Sequence, residues 1–428
     1  MIKEQPIKYV LRCRQCGTEL ADDGLVLFHK GCDPPGLLQT VYTSAWPGQG
    51  DDGMGIFQYH EWLPIRRTLP GSSAPVTYRS RGLAEQLRLE NLFIAFSGYW
   101  PERGALMRTC TFKELEAYAV CARLPERFED VLVIASAGNT ARAFIHVCST
   151  HHIRALIVVP EWSIPMLWRE TEHNDCVRII AVGGNSDYAD AVLLADSICR
   201  MDGFVAEGGA RNVARRDGLG TTVLSCAEEA GCIPDEYFQA VGSGTGAIAA
   251  WEASERLSLN KVWPGGPMRL HVAQNLPLAP IYESWTSHSS RIVSMNSLPG
   301  CSSEEMYAGV LYNRRPPYGV AGGLYDALLA TNGHAYGIAN EEAGAASKLF
   351  EEAEGIDIDP AAAVAVAGLV KCVARKTVEK DAYIMLNITG GGFKRLRRDV
   401  ELQTTMPIAV VDRSDFKSVR DHLICKRS

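Results

Sequence analysis

Three short runs of apolar residues, separated by helical segments, constrain the fold of this chain more than any other feature. The runs lie at 131–135, 155–159 and 177–182 and contain few polar residues. Such runs are typical of strands that are buried on both faces of a parallel sheet, whereas a half-exposed strand alternates apolar and polar residues. Helical segments at 141–150 and 189–200 lie in the same region. The pattern predicts an α/β fold with a doubly wound parallel sheet.

A second set of apolar runs, at 237–241, 269–273 and 383–388, predicts another sheet of the same kind. A chain of 428 residues is long enough for two or three domains. We predict a small α/β domain at 109–235. Segment 1–108 is expected to form an N-terminal segment and the first part of a large domain, and 236–428 the remainder of that domain.

Composition and charge exclude several classes of protein. The chain is 46% hydrophobic and 22% charged, as in soluble globular proteins, and its formal net charge of −7 argues against a general nucleic-acid-binding protein. No stretch approaches the roughly 20 uninterrupted apolar residues of a membrane span, and the first six residues lack the apolar core of a signal peptide. The 13 cysteines lie mostly in apolar segments, which suits a reducing compartment. We expect a cytoplasmic protein without nucleic-acid or membrane partners.

Lys113 is predicted to lie in the first turn of a helix. Thr111 and Glu114 have the spacing of a capping box, and Leu115 begins an apolar helical face. At this position the helix dipole and partial burial both disfavour the ammonium, so the pKa of Lys113 should be lowered. A neutral amine of this kind can condense with an aldehyde to form a Schiff base. The alternative is an exposed surface lysine, so the prediction depends on the residues around it.

Three turns between strands and helices carry residues suited to a ligand, since ligands bind beyond the carboxyl ends of parallel strands. The first turn consists of Ser136, Ala137, Gly138, Asn139 and Thr140. Its helix-start amides could hold a carboxylate, and the Asn139 amide could hydrogen-bond a neighbouring ligand group. A tight turn capped by Ser136 or Asn139 is the alternative.

The second turn consists of Gly242, Ser243, Gly244, Thr245 and Gly246. Its glycines allow close approach of the backbone and its hydroxyls can donate to phosphate oxygens, so we predict a phosphate site. The sequence of this turn also fits a dinucleotide-binding fingerprint, but the next strand lacks the acidic residue that binds a ribose. The Gly-Lys-Ser/Thr ending of a P-loop is absent as well. A plain tight turn stays open as an alternative.

The third turn begins with Thr389, which three glycines follow. A threonine hydroxyl here can hydrogen-bond a neutral nitrogen in the ring of a bound cofactor, whereas a carboxylate would keep that nitrogen protonated. The alternative is a strand turn without a ligand.

The loop just before the Lys113 segment contains Arg103, which is a candidate anion ligand. The alternative is that Arg103 only pairs with Glu102.

Cys13, Cys16, His29 and Cys32 raise the question of a zinc site. A Cys-x-x-Cys turn supplies two thiolates, and a later His/Cys pair can complete a tetrahedron. Because the second half of the pattern is irregular, we prefer a β-hairpin with packed cysteines and assign no metal ligands. Metal analysis of the purified protein distinguishes the two interpretations.

Four features occur in a fixed order: a lysine at a helix start, a Ser-x-Gly-Asn turn, a glycine-rich phosphate turn and a late threonine turn. Together they resemble the tryptophan-synthase-β-like, or fold type II, pyridoxal phosphate enzymes. Within that superfamily the chain is similar to the threonine synthase branch and, more closely, to the cysteate synthases. The similarity to that family is carried by segments 98–105, 111–117, 212–218 and 354–360.

The resemblance implies two doubly wound domains with the active site between them. It implies that Lys113 holds pyridoxal 5'-phosphate (PLP) as a Schiff base and that Asn139 contacts the ring hydroxyl. The 242–246 turn would bind the cofactor phosphate, and Thr389 would meet the ring nitrogen. The 136–140 turn would then take the α-carboxylate of the substrate.

The resemblance also implies an activity, that of a lyase or transferase performing β-replacement on O-phospho-L-serine, with sulfite as the nucleophile and L-cysteate and phosphate as products. Both reactants are anionic, so we expect cationic groups in the pocket, with Arg103, Arg108 and Arg142 as candidates. Threonine synthesis from O-phosphohomoserine and a different nucleophile stay open. A non-catalytic nucleotide-binding protein is the alternative from another class. A homo-oligomer is expected by the same resemblance.

Overall fold

Two sheets with helices on both faces form the body of the molecule. The computed structural model describes residues 8–46, 52–170, 175–184, 186–293, 302–412 and 419. Each sheet is built mainly from parallel strands, and each face of each sheet is covered by an apolar cluster that includes helices. The predicted doubly wound α/β class is confirmed.

The strands of the described residues are, in chain order, β1 (Tyr9–Cys13), β2 (Glu19–Leu20), β3 (Leu38–Tyr42), β4 (Val76–Arg79), β5 (Asn91–Phe96), β6 (Tyr99–Trp100), β7 (Ala105–Leu106), β8 (Val131–Ala135), β9 (Ala155–Pro160), β10 (Trp168–Arg169), β11 (Val177–Val182), β12 (Phe204–Ala206), β13 (Glu236–Ala240), β14 (Arg269–Asn275), β15 (His334–Ile338), β16 (Tyr383–Ile388), β17 (Gln403–Thr404) and β18 (Ala409–Val411). The α-helices of the same residues are α1 (Gly82–Leu87), α2 (Lys113–Arg123), α3 (Asn139–Thr150), α4 (Tyr188–Ile198), α5 (Val213–Ala230), α6 (Thr245–Asn260), α7 (Pro280–Thr286), α8 (Leu324–Ala330), α9 (Asn340–Glu354), α10 (Pro360–Arg375) and α11 (Phe393–Asp399). Within these ranges each helix is too short, or not apolar enough, to cross a lipid bilayer.

The smaller sheet has the strand order β12-β8-β9-β11-β18 and is parallel throughout. Leu132 and Ile134 pack with α2 and α3 on one face, whereas Val131 and Val133 pack with α4 on the other. Burial of both faces explains why these strands read as continuous apolar runs. The edge strand β18 comes from the C-terminal region, so this sheet extends beyond the predicted 109–235 range. Strand β18 has only three residues, which are too few to give a hydrophobic pattern in the sequence.

The larger sheet has the order β15-β14-β13-β16-β5-β4. Its strands are parallel except β4, which lies at one edge and runs antiparallel to β5. Helices α9 and α10 cover one face, and α5, α6 and α8 cover the other. Because β13 and β16 are neighbouring parallel strands, the turns that follow them lie side by side at the carboxyl ends of the strands.

A small antiparallel sheet, β2-β1-β3, forms the N-terminal segment. Its apolar side chains pack against Val213 at the start of α5. Tyr42 of β3 donates a hydrogen bond to Asp217 of α5 over 2.7 Å, and Arg256 of α6 donates to the same carboxylate over 2.6 Å. The segment is therefore fastened to two helices of the body.

Candidate active site

A cavity between the two sheets collects the predicted ligand residues. It is lined by the turn after β8 (136–140), the turn after β13 (242–246), Thr389 after β16, and Lys113 at the start of α2. The cavity contains about 830 Å³ of space, part of it open to solvent. Four groups that are distant in sequence therefore line one cavity.

Helix α2 begins at Lys113, as predicted, but its cap is different. Glu114 Oε2 accepts hydrogen bonds from the backbone N–H of Thr109 over 2.9 Å and from its hydroxyl over 2.8 Å. Thr111 Oγ1 accepts a long 3.4 Å bond from the Lys113 N–H. The predicted capping box between Thr111 and Glu114 is wrong, because Glu114 turns back to an earlier residue of the chain.

The glycine-rich turn after Thr389 fixes the position of the Lys113 segment. The Phe112 N–H donates to the Thr389 carbonyl over 2.9 Å, and the Gly391 N–H donates to the Cys110 carbonyl over 3.3 Å. A Cβ at Gly390 would lie 2.6 Å from the Cys110 carbonyl oxygen. Glycine is therefore required for these two backbones to approach, and their contact holds Thr389 near Lys113.

The amine of Lys113 lies in a largely buried, charged environment. Its side chain is 18% exposed, and Nζ donates to Glu116 Oε2 over 3.1 Å. Burial lowers the pKa of Lys113, and the Arg215 guanidinium lowers it further, while the Glu116 carboxylate acts in the opposite direction. The predicted direction of the shift is confirmed, with burial as its main cause.

Glu116 connects Lys113 to the 136–140 turn. Its Oε1 accepts a hydrogen bond from the Thr140 hydroxyl over 3.0 Å and forms an ion pair with Arg215 Nη1 over 2.8 Å. Arg215 is also paired with Glu207, its Nε donating to Oε1 over 2.9 Å. Burial opposes the charge of Arg215, but these two carboxylates outweigh it and hold the pKa of Arg215 above its usual value.

Sequence reasoning missed Glu116 and Arg215. A signal for Glu116 was present, because a glutamate three residues after a helical lysine lies on the same helix face. Arg215 gave no local signal, since it reaches the cavity from α5, about 100 residues further along the chain. Tyr188, Tyr312 and Asn313 also line the cavity and were not anticipated.

The 136–140 turn is held by its own serine. Ser136 Oγ accepts hydrogen bonds from the N–H groups of Gly138 over 3.1 Å and Ala141 over 2.9 Å. Asn139 Oδ1 accepts from Arg142 Nη2 over 3.0 Å, and Arg142 Nε donates to the Thr109 carbonyl over 2.9 Å. Arg142 is buried and orients Asn139, so it is a positioning residue and not the anion ligand that we considered.

The 242–246 turn leads directly into α6. Ser243 Oγ and Thr245 Oγ1 are 2.8 Å apart. Gly244 has a φ of +81°, and a Cβ at this position would lie 2.7 Å from Leu324 Cδ2. The first N–H groups of α6 have no acceptor within the helix, and the helix dipole favours negative charge at this end. This geometry fits the predicted phosphate site.

Arg103 does not lie at the cavity. Its guanidinium stacks on Tyr78 at 4.0 Å and on Trp100 at 4.7 Å from the ring centroids, outside the residues that line the cavity. A short helical turn at Pro101–Arg103 directs the side chain towards β4, where aromatic faces attract a guanidinium. The prediction of Arg103 as a substrate ligand is therefore corrected. Arg108 is also outside the residues that line the cavity, and its guanidinium lies over the ring of Tyr99.

Residues 85–390 match the family model described as pyridoxal-phosphate dependent enzyme. The chain belongs to this family. Among curated relatives, the chain is 44% identical to a cysteate synthase of Methanosarcina barkeri over 410 residues, which is 95% of this chain and 98% of the relative. It is 49% identical to a cysteate synthase of Methanothrix thermoacetophila over 418 residues, 96% of this chain and 98% of the relative. The resemblance to that family is confirmed.

Solved structures of PLP enzymes share the fold. Maize serine racemase superposes with a TM-score of 0.58 at 14% identity, over 76% of this chain and 91% of that chain. Serine racemase of Dictyostelium discoideum superposes with a TM-score of 0.52 at 16% identity, over 74% of this chain and 92% of that chain. The expected fold type II architecture is thereby confirmed.

The residues of the cavity fit PLP. An amine with a lowered pKa, at Lys113, suits attachment of an aldehyde. The start of α6, with its close-packed Gly244 and its two hydroxyls, suits a phosphate. Thr389 offers a hydroxyl where a neutral ring nitrogen would need a hydrogen-bonding partner. The cavity therefore contains a suitable group for each end of the cofactor.

Proposed function

We propose that this PLP-dependent enzyme forms L-cysteate and phosphate from O-phospho-L-serine and sulfite. The observation that carries the proposal is the single cavity in which the Lys113 amine, a candidate carboxylate turn and a candidate phosphate turn meet. The choice of substrates is supported by the relatives named cysteate synthase, which match nearly the whole chain.

Specific residues would hold the cofactor. Lys113 would bind it covalently, and the 242–246 turn would bind its phosphate at the start of α6. Asn139, oriented by Arg142, would contact the ring hydroxyl, and Thr389 the ring nitrogen. When bound, PLP supplies an electron sink that stabilises negative charge at the α-carbon of the substrate.

The side chains would divide the remaining work. The 136–140 turn would bind the substrate α-carboxylate, while the amine of Lys113 would remove the proton from the α-carbon. The bond from the β-carbon to the phosphate oxygen would then break, with its electron pair leaving on phosphate. Sulfite would form a carbon–sulfur bond at the same carbon with its own electron pair, and Lys113 would return the proton to the α-carbon. A lowered pKa supports this role, because it leaves part of the amine neutral and able to accept the proton.

Arg215 replaces Arg103 as the arginine that lines the proposed substrate site. Its charge is shared with Glu116 and Glu207, so it does not act as an isolated anion ligand. We propose that it keeps Glu116 in place between Lys113 and Thr140. Negative charge on the substrate would be met by the start of α3.

A product assay tests the proposed reaction. The enzyme is incubated with O-phospho-L-serine or O-phosphohomoserine, each with and without sulfite, and the amino-acid products are identified by mass spectrometry. Cysteate is expected with phosphoserine and sulfite, together with one phosphate per cysteate. O-phosphohomoserine carries its phosphate on the γ-carbon, where the proposed steps break no bond, so no sulfonated product is expected from it. Threonine as the main product would contradict the proposal.

Replacing Glu116 with glutamine is expected to lower the pKa of Lys113 further. Burial and Arg215 both lower this pKa, and Glu116, at hydrogen-bond distance, is the largest influence that raises it. Removing its carboxylate leaves only the smaller effect of Glu207 against the lowering effects. In protein freed of PLP, the pH dependence of Lys113 acylation, followed by mass spectrometry, should move to lower pH. Glu352→Gln, at an exposed position of α9, is the control and should leave the profile in place. An unchanged pH dependence of acylation in the Glu116 variant would mean that this carboxylate does not influence the pKa of Lys113.

Compartment and assembly stay proposals. None of the eleven cysteines within the described ranges forms a disulfide, which supports a reducing, cytoplasmic setting. The net charge of −7 supports the absence of a nucleic-acid partner. A homo-oligomer stays a prediction from the resemblance.

A further inference from the structure

The N-terminal segment brings four metal-ligand side chains together outside the active site. Cys13, Cys16, His29 and Cys32 each offer one ligand atom, and these four atoms all lie within 4.8 Å of one another. The Cys13 and Cys32 sulfurs are 3.9 Å apart. His29 Nδ1 lies 3.3 Å from the Cys16 sulfur and 3.4 Å from the Cys32 sulfur.

We propose that these four residues bind a structural Zn²⁺ ion. Tetrahedral zinc with bonds of about 2.3 Å to sulfur and about 2.0–2.1 Å to nitrogen requires ligand atoms roughly 3.5–3.8 Å apart. The three separations of 3.3, 3.4 and 3.9 Å are close to this range. A disulfide requires sulfurs about 2.05 Å apart, so the Cys13 and Cys32 thiols are not joined. Three thiolates and one imidazole form a ligand set of the Cys₃His type and leave no open position for catalysis.

The backbone is shaped to present these ligands in two similar pairs. In the first, the Gly17 N–H donates to the Cys13 carbonyl over 2.8 Å, with Gly17 at a φ of +75°, which brings Cys16 back towards Cys13. In the second, the Cys32 N–H donates to the His29 carbonyl over 3.2 Å. The two pairs follow the spacing Cys-x₂-Cys-x₁₂-His-x₂-Cys, so the second half is less irregular than the sequence suggested.

Gly31 makes room for the imidazole of the second pair. A Cβ at this position would lie 2.9 Å from His29 Nε2 and 3.0 Å from its Cε1. The ring is therefore folded over a residue without a side chain, with Nδ1 towards the sulfurs. Apolar packing accounts for Cys13, which is buried in an apolar cluster with Cys32 against it, but not for Cys16, which is exposed, or for His29, which is only half-buried.

The proposed zinc site would fasten a loop that is joined to α2 at Arg123 and, through Arg123, to the start of α5. Between the two ligand pairs, Asp22 accepts two hydrogen bonds from Arg123, the last residue of α2, over 2.9 and 2.7 Å. Arg123 also donates to the Val26 carbonyl over 2.8 Å and to Asn212 Oδ1, at the start of α5, over 3.0 Å. The Asp22 and Arg123 side chains are almost fully buried. Loop 17–28 has little regular structure of its own, so a metal at its two ends would hold it in this position.

Metal analysis of the full-length holoenzyme tests the proposal. The protein is produced with zinc in the medium, any affinity tag is removed, and metals are measured by mass spectrometry. About one zinc per chain is expected. Exchange of Co²⁺ into the site should give the strong visible absorption of tetrahedral thiolate-bound cobalt. A chain that is purified without metal and binds neither Zn²⁺ nor Co²⁺ tightly would overturn the proposal, as would iron in place of zinc.

Variants separate this site from the other thiols. Cys16→Ser and His29→Ala should each lower zinc content by about tenfold or more and lower the melting temperature, because loop 17–28 is released. Cys232→Ser, a half-buried cysteine outside the cluster, is the matched control and should retain zinc. The colour of bound PLP reports whether the catalytic body is still folded. Full zinc content in a coloured Cys16→Ser or His29→Ala variant would exclude these residues as ligands.

Discussion

Replacing Lys113 with alanine is expected to abolish the yellow colour of bound PLP and to lower turnover at least about 10³-fold. Two functions are lost together, since the same amine would attach the cofactor and carry the α-proton. Proton transfer by a positioned side chain alone is worth about 10²–10⁴-fold. The amine is largely buried beside Glu116, so a neighbouring lysine cannot substitute for it without rearrangement.

Absorbance of the purified protein, PLP content after denaturation and the rate of cysteate formation measure this effect. Lys348→Ala, at an exposed position of α9, is the control and should change none of them. Circular dichroism verifies that the Lys113 variant is folded. Partial recovery of turnover with a small primary amine in solution would confirm that the amine, and not the fold, was removed. Normal turnover and normal colour in the Lys113 variant would contradict the assignment of this residue.

The fold was readable from the sequence where burial is strongest. Central strands such as β8, β9 and β16 are covered on both faces, so they appear as unbroken apolar runs and were located almost to the residue. Short edge strands lack such a signal. The three residues of β18 join the smaller sheet from far along the chain, and this pairing depends on tertiary packing that local sequence does not encode.

The site was readable where a backbone motif carries the chemistry. The 136–140 and 242–246 turns combine small residues with a strand-to-helix change, and both line the cavity. Single charged side chains were predicted less well, because their direction depends on distant neighbours. Arg103 was expected at the cavity but stacks on aromatic rings, whereas Arg215 on α5 reaches it through Glu116.

Replacing Gly244 with alanine is expected to weaken PLP binding roughly tenfold to a hundredfold, which corresponds to about 1.4–2.8 kcal/mol. Gly244 has left-handed backbone angles, with φ +81° and ψ −3°, which cost a residue with a Cβ about 1–2 kcal/mol. The added Cβ would also lie 2.7 Å from Leu324 Cδ2 and 3.3 Å from its Cβ, in a fully buried side chain, so Leu324 or the turn must shift. A shift of the turn would carry the N–H groups at the start of α6 away from the phosphate.

Gly231→Ala provides a matched control for this variant. Gly231 also has left-handed angles next to a helix end, with φ +69° and ψ 13°, but a Cβ there would meet no heavy atom within 4 Å. Both variants should therefore lose stability through backbone strain, measured as a lower melting temperature without PLP. A weaker dissociation constant for PLP, measured by absorbance titration, should appear in the Gly244 variant and not in the Gly231 variant. Equal PLP affinity in the two variants would mean that the 242–246 turn does not bind the cofactor phosphate, because backbone strain alone would then account for every effect.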